Sequence, residues 1–406
     1  PDGDGGGINN DGEMTIADSE ISDNRAEGDS GVHGGGIDND GDLELVRSTI
    51  IGNVVSLDED GGYGGGLENT GYLLVRDSLI SDNRVEGGTE LLGGGIYSQL
   101  NESRADDGFR AGLWIINSTI SGNTATATDD VVIGGGVFAQ DYDDCCGSDP
   151  SPVVIINSTI SDNAVDSTGT TFEVGAGGAI FVGSLLEVTI HNSILANSTS
   201  AGNPGGDCVV VDGSAFSAAH SLFEDVDDGA CGLAAANPDG DGNIVGVDPA
   251  LGPLTDNGGA SRTHALLANS PALDSGDNAL AVDENGDPLP SDQRGYVGRV
   301  VNATVDRGAY EFGAEPPGDF GVFVSAISAG TTGDGLAFTP DDILQWVDGD
   351  GWSTWFNGAD AGLIPSGIAK HHIYAFWIPD PAQEDVVISF TQNRRVVPGI
   401  TGLVDG

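Results

Sequence analysis

The stretch GGGLENTGYLLVRDSLISDN, residues 64–83, decides the fold, because versions of it recur along the first part of the chain. Each copy opens with a glycine triplet followed by an apolar residue and closes with a Ser-x-Ile-x-x-Asn pattern. The five copies end at Asn24, Asn53, Asn83, Asn123 and Asn163, which lie 29, 30, 40 and 40 residues apart. A repeat of this length is typical of a solenoid, in which each unit buries its apolar face only by stacking on its neighbours.

Apolar and polar residues alternate inside each copy. Leu73, Val75 and Ile80 are apolar positions of the quoted copy, and every other copy has equivalents. A period of two predicts short β-strands with one buried face. The sequence therefore predicts an all-β fold, a parallel β-helix over residues 1–312 whose strands pair with their equivalents one coil above. We expect the five closing asparagines to hydrogen-bond along the stack as a ladder that satisfies their buried amides.

The fourth and fifth copies are longer because each carries an insertion just after its glycine-rich strand. The inserted loops span roughly residues 98–112 and 139–152, so we expect both to leave the same face of the solenoid. Insertions in repeat proteins often map to a binding face. The alternative is a surface excursion with no partner, since long insertions cost little closure entropy. The candidate ligand-binding residues are Asp141, Tyr142, Asp143 and Asp144.

Irregular coils follow the fifth copy. The repeat pattern then ends, and the sequence contains the motifs LGPLTDNGG (251–259), THALLANSPALDSGD (263–277), DQRG (292–295) and GAYE (308–311). In combination, these motifs resemble the C-terminal part of the choice-of-anchor Q proteins, which are bacterial surface or secreted proteins. The preceding repeats resemble the β-helices of that family and of polymorphic outer-membrane proteins. The resemblance implies a right-handed winding, an exported protein and no known catalysis.

A different kind of sequence follows the linker GAEPPGD, residues 313–319. Residues 320–406 contain aromatic and β-branched runs such as GWSTWF (351–356) and IYAFWI (373–378). Such runs, punctuated by Gly, Asn, Asp and Pro, predict a small antiparallel, sandwich-like β domain. We expect this domain to be one of a tandem series. We also expect the sequence to be a segment of a longer polypeptide that continues beyond both of its ends.

The chain is very acidic. It has 64 Asp and Glu against 13 Lys and Arg, a formal net charge of −51, and Lys370 as its single lysine. The electrostatic field of this negative charge keeps protein molecules apart and repels nucleic acid and anionic membranes, whereas salt or divalent cations screen the field. We therefore predict an extracellular or cell-surface location, no nucleic-acid partner and no membrane insertion in this segment.

The chain has four cysteines, which can pair in three ways, and their oxidation state indicates the cellular compartment of the protein. We predict that Cys208 and Cys231 are bridged, because they flank one irregular coil. Cys145 and Cys146 are adjacent and would form a strained vicinal disulfide or link to another chain. Metal binding by these two thiols without a nearby histidine is a further alternative. In a cytosolic protein all four would be reduced.

Catalysis has to be considered, because parallel β-helices also carry polysaccharide lyases and hydrolases. A uronate lyase needs a base and cationic groups around the acid, yet the coils contain no lysine and only scattered arginines. A glycosidase needs two carboxylates about 5 to 9.5 Å apart, a criterion that some pair among 64 acids always meets. The informative feature would be a carboxylate pair among aromatic residues in a groove. The acids beside Tyr142 come nearest, but a solvated loop is favoured there, so we predict a protein without enzymatic activity.

Calcium is the candidate cofactor. Coils stack about 4.8 Å apart, so columns of acids repel unless cations or protons intervene. The run DGDGN, residues 239–243, offers closely spaced oxygens from Asp239, Asp241 and Asn243, although it does not complete an EF-hand loop. The alternative is that these residues only form turns.

Two functional hypotheses follow from the sequence. The first is an exported structural protein of the cell surface, acting in adhesion or as a subunit of an extracellular filament or surface layer. Its partners would be further copies of itself or other surface proteins. The second is a carbohydrate-binding or carbohydrate-cleaving β-helix that uses the loops at 98–112 and 139–152, with glycans as ligands.

Overall fold

A computed structural model of the chain is almost entirely β and divides into two compact units, residues 1–315 and 316–406. The division falls inside the predicted linker. The structure describes seven strands between residues 322 and 390 and, before them, residues 5–316 apart from 30, 59–60, 101–110, 128–130, 142–150, 168–175, 201–205, 212 and 226–230. In this part of the chain the only helical element is a short 3₁₀ turn, Asn278–Leu280.

Each coil of the first unit contributes up to five short strands, which pair in parallel with their equivalents in the next coil. The resulting five sheets are numbered here in the order in which the chain passes through them. Sheet 1 contains Ile8–Asn10, Ile37–Asn39, Leu67–Asn69, Ile96–Leu100, Val137–Asp141, Ile180–Val182 and Cys208–Val210. Sheet 2 contains Glu13–Ala17, Asp42–Val46, Tyr72–Arg76, Gly112–Ile116, Ser151–Ile156, Leu186–His191 and Ala215–Ala219.

The other three sheets complete the coil. Sheet 3 contains Glu20–Ser22, Thr49–Ile51, Leu79–Ser81, Thr119–Ser121, Thr159–Ser161, Ile194–Ala196, Leu222–Phe223 and Ile244–Val245. Sheet 4 contains Arg25–Gly28, Val54–Leu57, Arg84–Gly87, Thr124–Ala127, Ala164–Ser167 and Thr199–Ser200. Sheet 5 contains Val32–His33, Gly61–Tyr63, Glu90–Leu92 and Val131–Ile133. The predicted parallel stack is thus confirmed.

The apolar columns of the repeat form the interior. Ile50 and Ile80, which occupy equivalent positions in successive copies, pair in register on sheet 3 and are buried. The inward residues of sheets 1, 2 and 3 form one large core, and those of sheets 4 and 5 form a second, smaller one. The predicted alternation of buried and outward residues is therefore confirmed.

The glycine triplet separates these two cores, and each of its three positions requires glycine for a different structural reason. Gly64 has φ 64°, a left-handed conformation that only glycine adopts without strain. A Cβ on Gly65 would lie 2.4 Å from the carbonyl carbon of Arg84 on the opposite side of the coil. A Cβ on Gly66 would lie 2.9 Å from Cγ of Asn83. The triplet therefore presses the corner before sheet 1 against the start of sheet 4.

The closing asparagines occupy the interior beside this contact. The side-chain nitrogen of Asn83 donates to Oδ1 of Asn123 at 2.9 Å and to the carbonyl of Ile50 at 3.0 Å. Its Oδ1 accepts from both the main-chain and side-chain nitrogens of Asn53. Equivalent amide-to-amide bonds of 2.9 to 3.0 Å connect Asn24 to Asn53 and Asn123 to Asn163. Hydrogen bonds thus satisfy buried amides that would otherwise destabilise the core.

The last part of the first unit leaves the coil path. We call residues 247–315 the strap; it begins with an antiparallel pair, Leu251–Thr255 and Thr263–Leu266. The hydroxyl of Thr119 donates to Oε1 of Gln293 at 2.5 Å, and that of Thr159 accepts from the main-chain nitrogen of Ala309 at 3.0 Å. Because these threonines flank inward isoleucines of sheet 3, the strap covers the outer face of that sheet.

Charged residues in and beside the motifs that carry the family resemblance fasten the strap. Arg307, just before GAYE, donates to the main-chain oxygens of Ser221, Gly242 and Ser275, each at 2.8 Å. Glu311, within GAYE, pairs with Arg299 at 2.7 Å in a fully buried ion pair. These three charged residues therefore have partners within the fold.

The second unit is described by its strands alone. These are Val322–Ser325, Gly330–Thr331, Ala337–Phe338, Ile343–Val347, Gly351–Phe356, Ile373–Trp377 and Val387–Phe390. Their described pairings are antiparallel.

Candidate functional site

The two predicted loops start from neighbouring strands. Leu100 and Asp141 are the last residues of their strands and pair with each other on sheet 1. The bases of both insertions therefore lie side by side at one edge of that sheet. Tyr142, Asp143 and Asp144 lie outside the described residues, as do Cys145 and Cys146.

The other two cysteines are joined. A disulfide connects Cys208, in the last strand of sheet 1, to Cys231, with their Cα atoms 4.9 Å apart. The main-chain nitrogen of Cys231 also donates to the carbonyl of Cys208 at 3.2 Å. Cys231 and Leu233 pack against the large core, so the bridge holds this segment over the end of the core.

The DGDGN segment forms a turn around its first carboxylate. Oδ1 of Asp239 accepts from the main-chain nitrogens of Asp241 and Asn243 at 2.9 and 2.8 Å, and Oδ2 accepts from the side chain of Asn243 at 3.1 Å. Desolvation is the largest single influence on Asp239 and raises its pKa, but these hydrogen bonds and the charge of Arg307 together outweigh it and leave the pKa lowered. This geometry is that of a turn former. Among the described residues, no group of three His, Cys, Asp or Glu side chains could hold a metal ion.

A column of outward side chains with unusual chemistry lies on sheet 1. The middle residues of its strands stack in register, in the order Asn9, Asp38, Glu68, Tyr97, Phe138 and Phe181. Across the glycine triplet, sheet 5 contributes His33, Tyr63, Leu92 and Ile133. We call these ten residues the corner strip.

The middle of the strip is shielded from water although its side chains point away from the main core, whereas Asn9 at one end is exposed and His33 and Phe181 are half-buried. Asp38 is 6 % exposed, Glu68 4 %, Tyr97 3 % and Phe138 4 %. Aromatic side chains from sheets 5 and 1 contact one another across the corner. The two carboxyl groups are thus shielded from water as thoroughly as the rings beside them.

Asp38 and Glu68 form a carboxyl pair on adjacent strands. Nδ1 of His33 lies 3.0 Å from Oε2 of Glu68, and the amide of Asn9 donates to Oδ2 of Asp38 at 3.3 Å. Burial raises the pKa of Asp38 to about 8, helped by its hydrogen bond to Glu68 and by the negative charges of Glu68 and Asp40, and opposed by His33. The protonated form of Asp38, which can donate to its register partner Glu68, is therefore favoured relative to that of an exposed aspartate.

Aromatic rings continue the strip above the acids. Ring centroids lie 5.0 Å apart between Tyr63 and Tyr97, 5.4 Å between Tyr97 and Phe138, and 5.5 Å between Phe138 and Phe181. The last two pairs are almost parallel, with interplanar angles of 6° and 4°. Since these faces cover one another, such pairs contribute to stability and do not offer an open platform to a ligand.

The corner strip combines carboxyl groups with aromatic residues, as a glycosidase groove would, but with the wrong geometry. Asp38 and Glu68 are register partners on adjacent strands and are buried side by side, whereas retaining and inverting glycosidases keep their carboxyl groups about 5 to 9.5 Å apart around the sugar. What this arrangement can do chemically is hold a proton between two buried acids.

A serine–histidine contact lies under the strap. Oγ of Ser121 is 2.9 Å from Nε2 of His264, whose Nδ1 is 2.8 Å from the carbonyl of Gly252. Oδ2 of Asp162 lies 3.6 Å from the same Nε2. Ser121 and His264 are each only 2 % exposed, so the contact positions the strap rather than presenting a nucleophile.

Sequence patterns did not reveal the acid pair, although a signal was present. Asp38 and Glu68 directly follow the apolar residue after the glycine triplet, where later copies have Tyr97, Phe138 and Phe181. Aromatic residues at equivalent positions indicate that this outward column is covered. Acids placed in such a column are forced into a water-poor site, which is the usual cause of a raised carboxyl pKa.

Comparison with protein-family models, curated proteins and solved structures gives no match for this chain. The resemblance to the choice-of-anchor Q proteins therefore depends on the quoted motifs and stays a prediction. In the described part of the chain, no helix has the length and apolar character needed to cross a membrane.

Proposed function

We propose that this protein is an exported structural protein of the cell surface, used in adhesion or as a subunit of an extracellular filament or surface layer. Further copies of itself or other surface proteins would be its partners. One observation carries the proposal: the repeated motifs and the strap motifs make contacts that hold the stack together. The glycine triplets, the asparagine ladder and Arg307 are examples.

Composition and covalent chemistry support a place outside the cell. The disulfide between Cys208 and Cys231 is of a kind that persists in oxidising compartments. The formal charge of −51 favours solubility in a medium that screens it. Calcium is proposed as one such screening ion. The absence of enzymatic activity is part of the same proposal.

Two finer features of the architecture belong to this proposal. We infer a right-handed winding, because parallel strands joined by a crossover connect in that hand in about 98 % of cases. We also infer that residues 320–406 form a sandwich-like module, one of a tandem series. Its antiparallel strand pairs support this interpretation.

A fractionation experiment tests the location. Protein from the native source is alkylated before and after reduction, and its cysteines are read by mass spectrometry. We expect the protein in the surface or secreted fraction, with Cys208 and Cys231 blocked until reduction, and ordered assemblies in electron micrographs of that fraction. Recovery from the cytosol with both thiols free would contradict the proposal.

A carbohydrate-binding role is the second candidate, and a specific observation favours it. The two insertions leave sheet 1 side by side at Leu100 and Asp141. Gln99 and Gln140 precede these residues, and both hydrogen-bond to the hydroxyl of Tyr97 in the corner strip. Uncharged polar groups beside two loops are suited to a neutral sugar.

Glycan-array binding distinguishes this second role from a purely structural one. The variant to use replaces both insertions by the short Thr-Gly turn that the third coil has at residues 70–71. We expect binding by the intact protein and its loss in the variant, with an unchanged circular-dichroism spectrum. A variant with only one loop shortened is the control. Binding that survives removal of both loops would exclude them as the glycan site.

A further inference from the structure

An imidazole and two carboxyl groups lie together in the corner strip. His33 ends the first coil on sheet 5, and Asp38 in the second coil pairs in register with Glu68 in the third, both on sheet 1. We propose that this His33–Asp38–Glu68 cluster is a proton-operated lock, which holds the first three coils together most firmly in acid and loosens progressively as the pH rises.

The geometry of the cluster supports a lock. Oε2 of Glu68 lies 3.0 Å from Nδ1 of His33, and Glu68 pairs in register with Asp38 on the adjacent strand, so one carboxylate lies beside both other groups. Asn9, in the first coil, donates to the other side of Asp38 at 3.3 Å. His33 directly precedes the glycine triplet that leads to Asp38, so its contact with Glu68 joins neighbouring turns of the stack at a second point beside the register pairing of Asp38 with Glu68.

One proton decides whether these contacts attract or repel. With the proton present, Asp38 donates to Glu68; without it, two carboxylates face each other where 4 to 6 % of each residue is exposed. Buried charges without compensation are strongly destabilising. The titratable groups around the pair are His33, Asp40, Tyr63, Glu90 and Tyr97. Among these described groups, only His33 can become positive.

The direction of the pH effect follows from proton binding. The pKa of Asp38 is about 8 in the folded protein and 3.8 as an ordinary value. Between these values the folded form binds one more proton than the unfolded form. The contribution of the pair to stability is therefore complete in acid and is lost as the pH rises through about 8. This is opposite to the usual behaviour of salt-bridged carboxylates.

Hydrogen exchange at defined pH tests the lock. Amide protection of Ile37–Asn39 and Leu67–Asn69 is measured from pH 6 to 8 and corrected for the intrinsic exchange rate. In the natural protein we expect protection to fall by about tenfold per pH unit. Asp38→Asn mimics the protonated acid, because its amide can donate to Glu68, and should flatten this dependence.

Asp18→Asn is the matched control, since it removes one charge from an exposed carboxylate of the first coil that pairs with Arg47. It should leave the pH dependence of the natural protein unchanged. If Asp38→Asn does not fold, Glu68→Gln provides the same comparison from the other side of the pair. Equal pH dependence in the natural protein and in the folded pair variant would overturn the proposal.

Discussion

Replacing Gly65 by alanine is expected to lower the free energy of unfolding of the first unit by about 3 kcal/mol or more. The added Cβ would lie 2.4 Å from the carbonyl carbon of Arg84 and 2.4 Å from the carbonyl oxygen of Gly94. Both neighbours are main-chain atoms, so no side chain can rotate away to make room. The coil would have to widen at the contact between its two cores.

Gly12→Ala is the matched control for this change. A Cβ on Gly12 meets nothing within 4 Å, and a substitution in open space usually changes stability by no more than about 0.5 kcal/mol. Denaturant unfolding of the two variants beside the natural protein measures the difference. Equal midpoints for Gly65→Ala and Gly12→Ala would show that the two sides of the coil do not need this close approach.

The glycine triplet shows what the repeat could and could not reveal. The spacing of the copies and the alternation around Ile80 predicted the parallel stack and its register, since both depend on residues near one another in sequence. The need for glycine at position 65 depends on Arg84, which the chain reaches only after most of a coil. A contact across the coil is fixed by the cross-section, and periodicity does not determine it.

The sequence pattern predicted neither the covering strap nor the burial of the acid pair, for a related reason. Thr119 and Thr159 alternate with inward isoleucines and read as solvent-facing strand residues, yet both are buried because the strap covers them. Asp38 and Glu68 read as ordinary surface acids, yet aromatic residues enclose them. The strap is distant in sequence from the threonines, and local pattern carries no information about it, whereas the signal for the acids was the aromatic residues at equivalent positions of later copies.

Arg299→Met is expected to destabilise the first unit by about 3 to 5 kcal/mol, the usual result of removing one partner from a buried ion pair. Arg299 and Glu311 are fully buried, and the guanidinium also donates to the carbonyl of Gly308 at 2.5 Å. Carboxylate oxygens of Glu311 accept from the main-chain nitrogens of Val301 and Asp306 at 2.9 Å. Without Arg299, this carboxylate would remain buried with no cation beside it.

The size of this loss should depend on pH. Desolvation is the largest influence on both groups, lowering the pKa of Arg299 and raising the pKa of Glu311 to about 7 even with the arginine present. Removing the cation raises the pKa of Glu311 further, so the variant can recover part of its stability by protonating Glu311 in acid. Denaturant unfolding should therefore show a larger deficit at pH 8 than at pH 5.

Arg47→Met separates burial from charge as the cause of this effect. Arg47 pairs with Asp18 at 2.7 Å, but the two side chains are 46 % and 60 % exposed. Solvent already stabilises both charges, and exposed pairs of this kind contribute little to stability. We expect Arg47→Met to leave the unfolding midpoint nearly unchanged at pH 5 and pH 8. If Arg299→Met behaved in the same way, the strap would not depend on its buried ion pair.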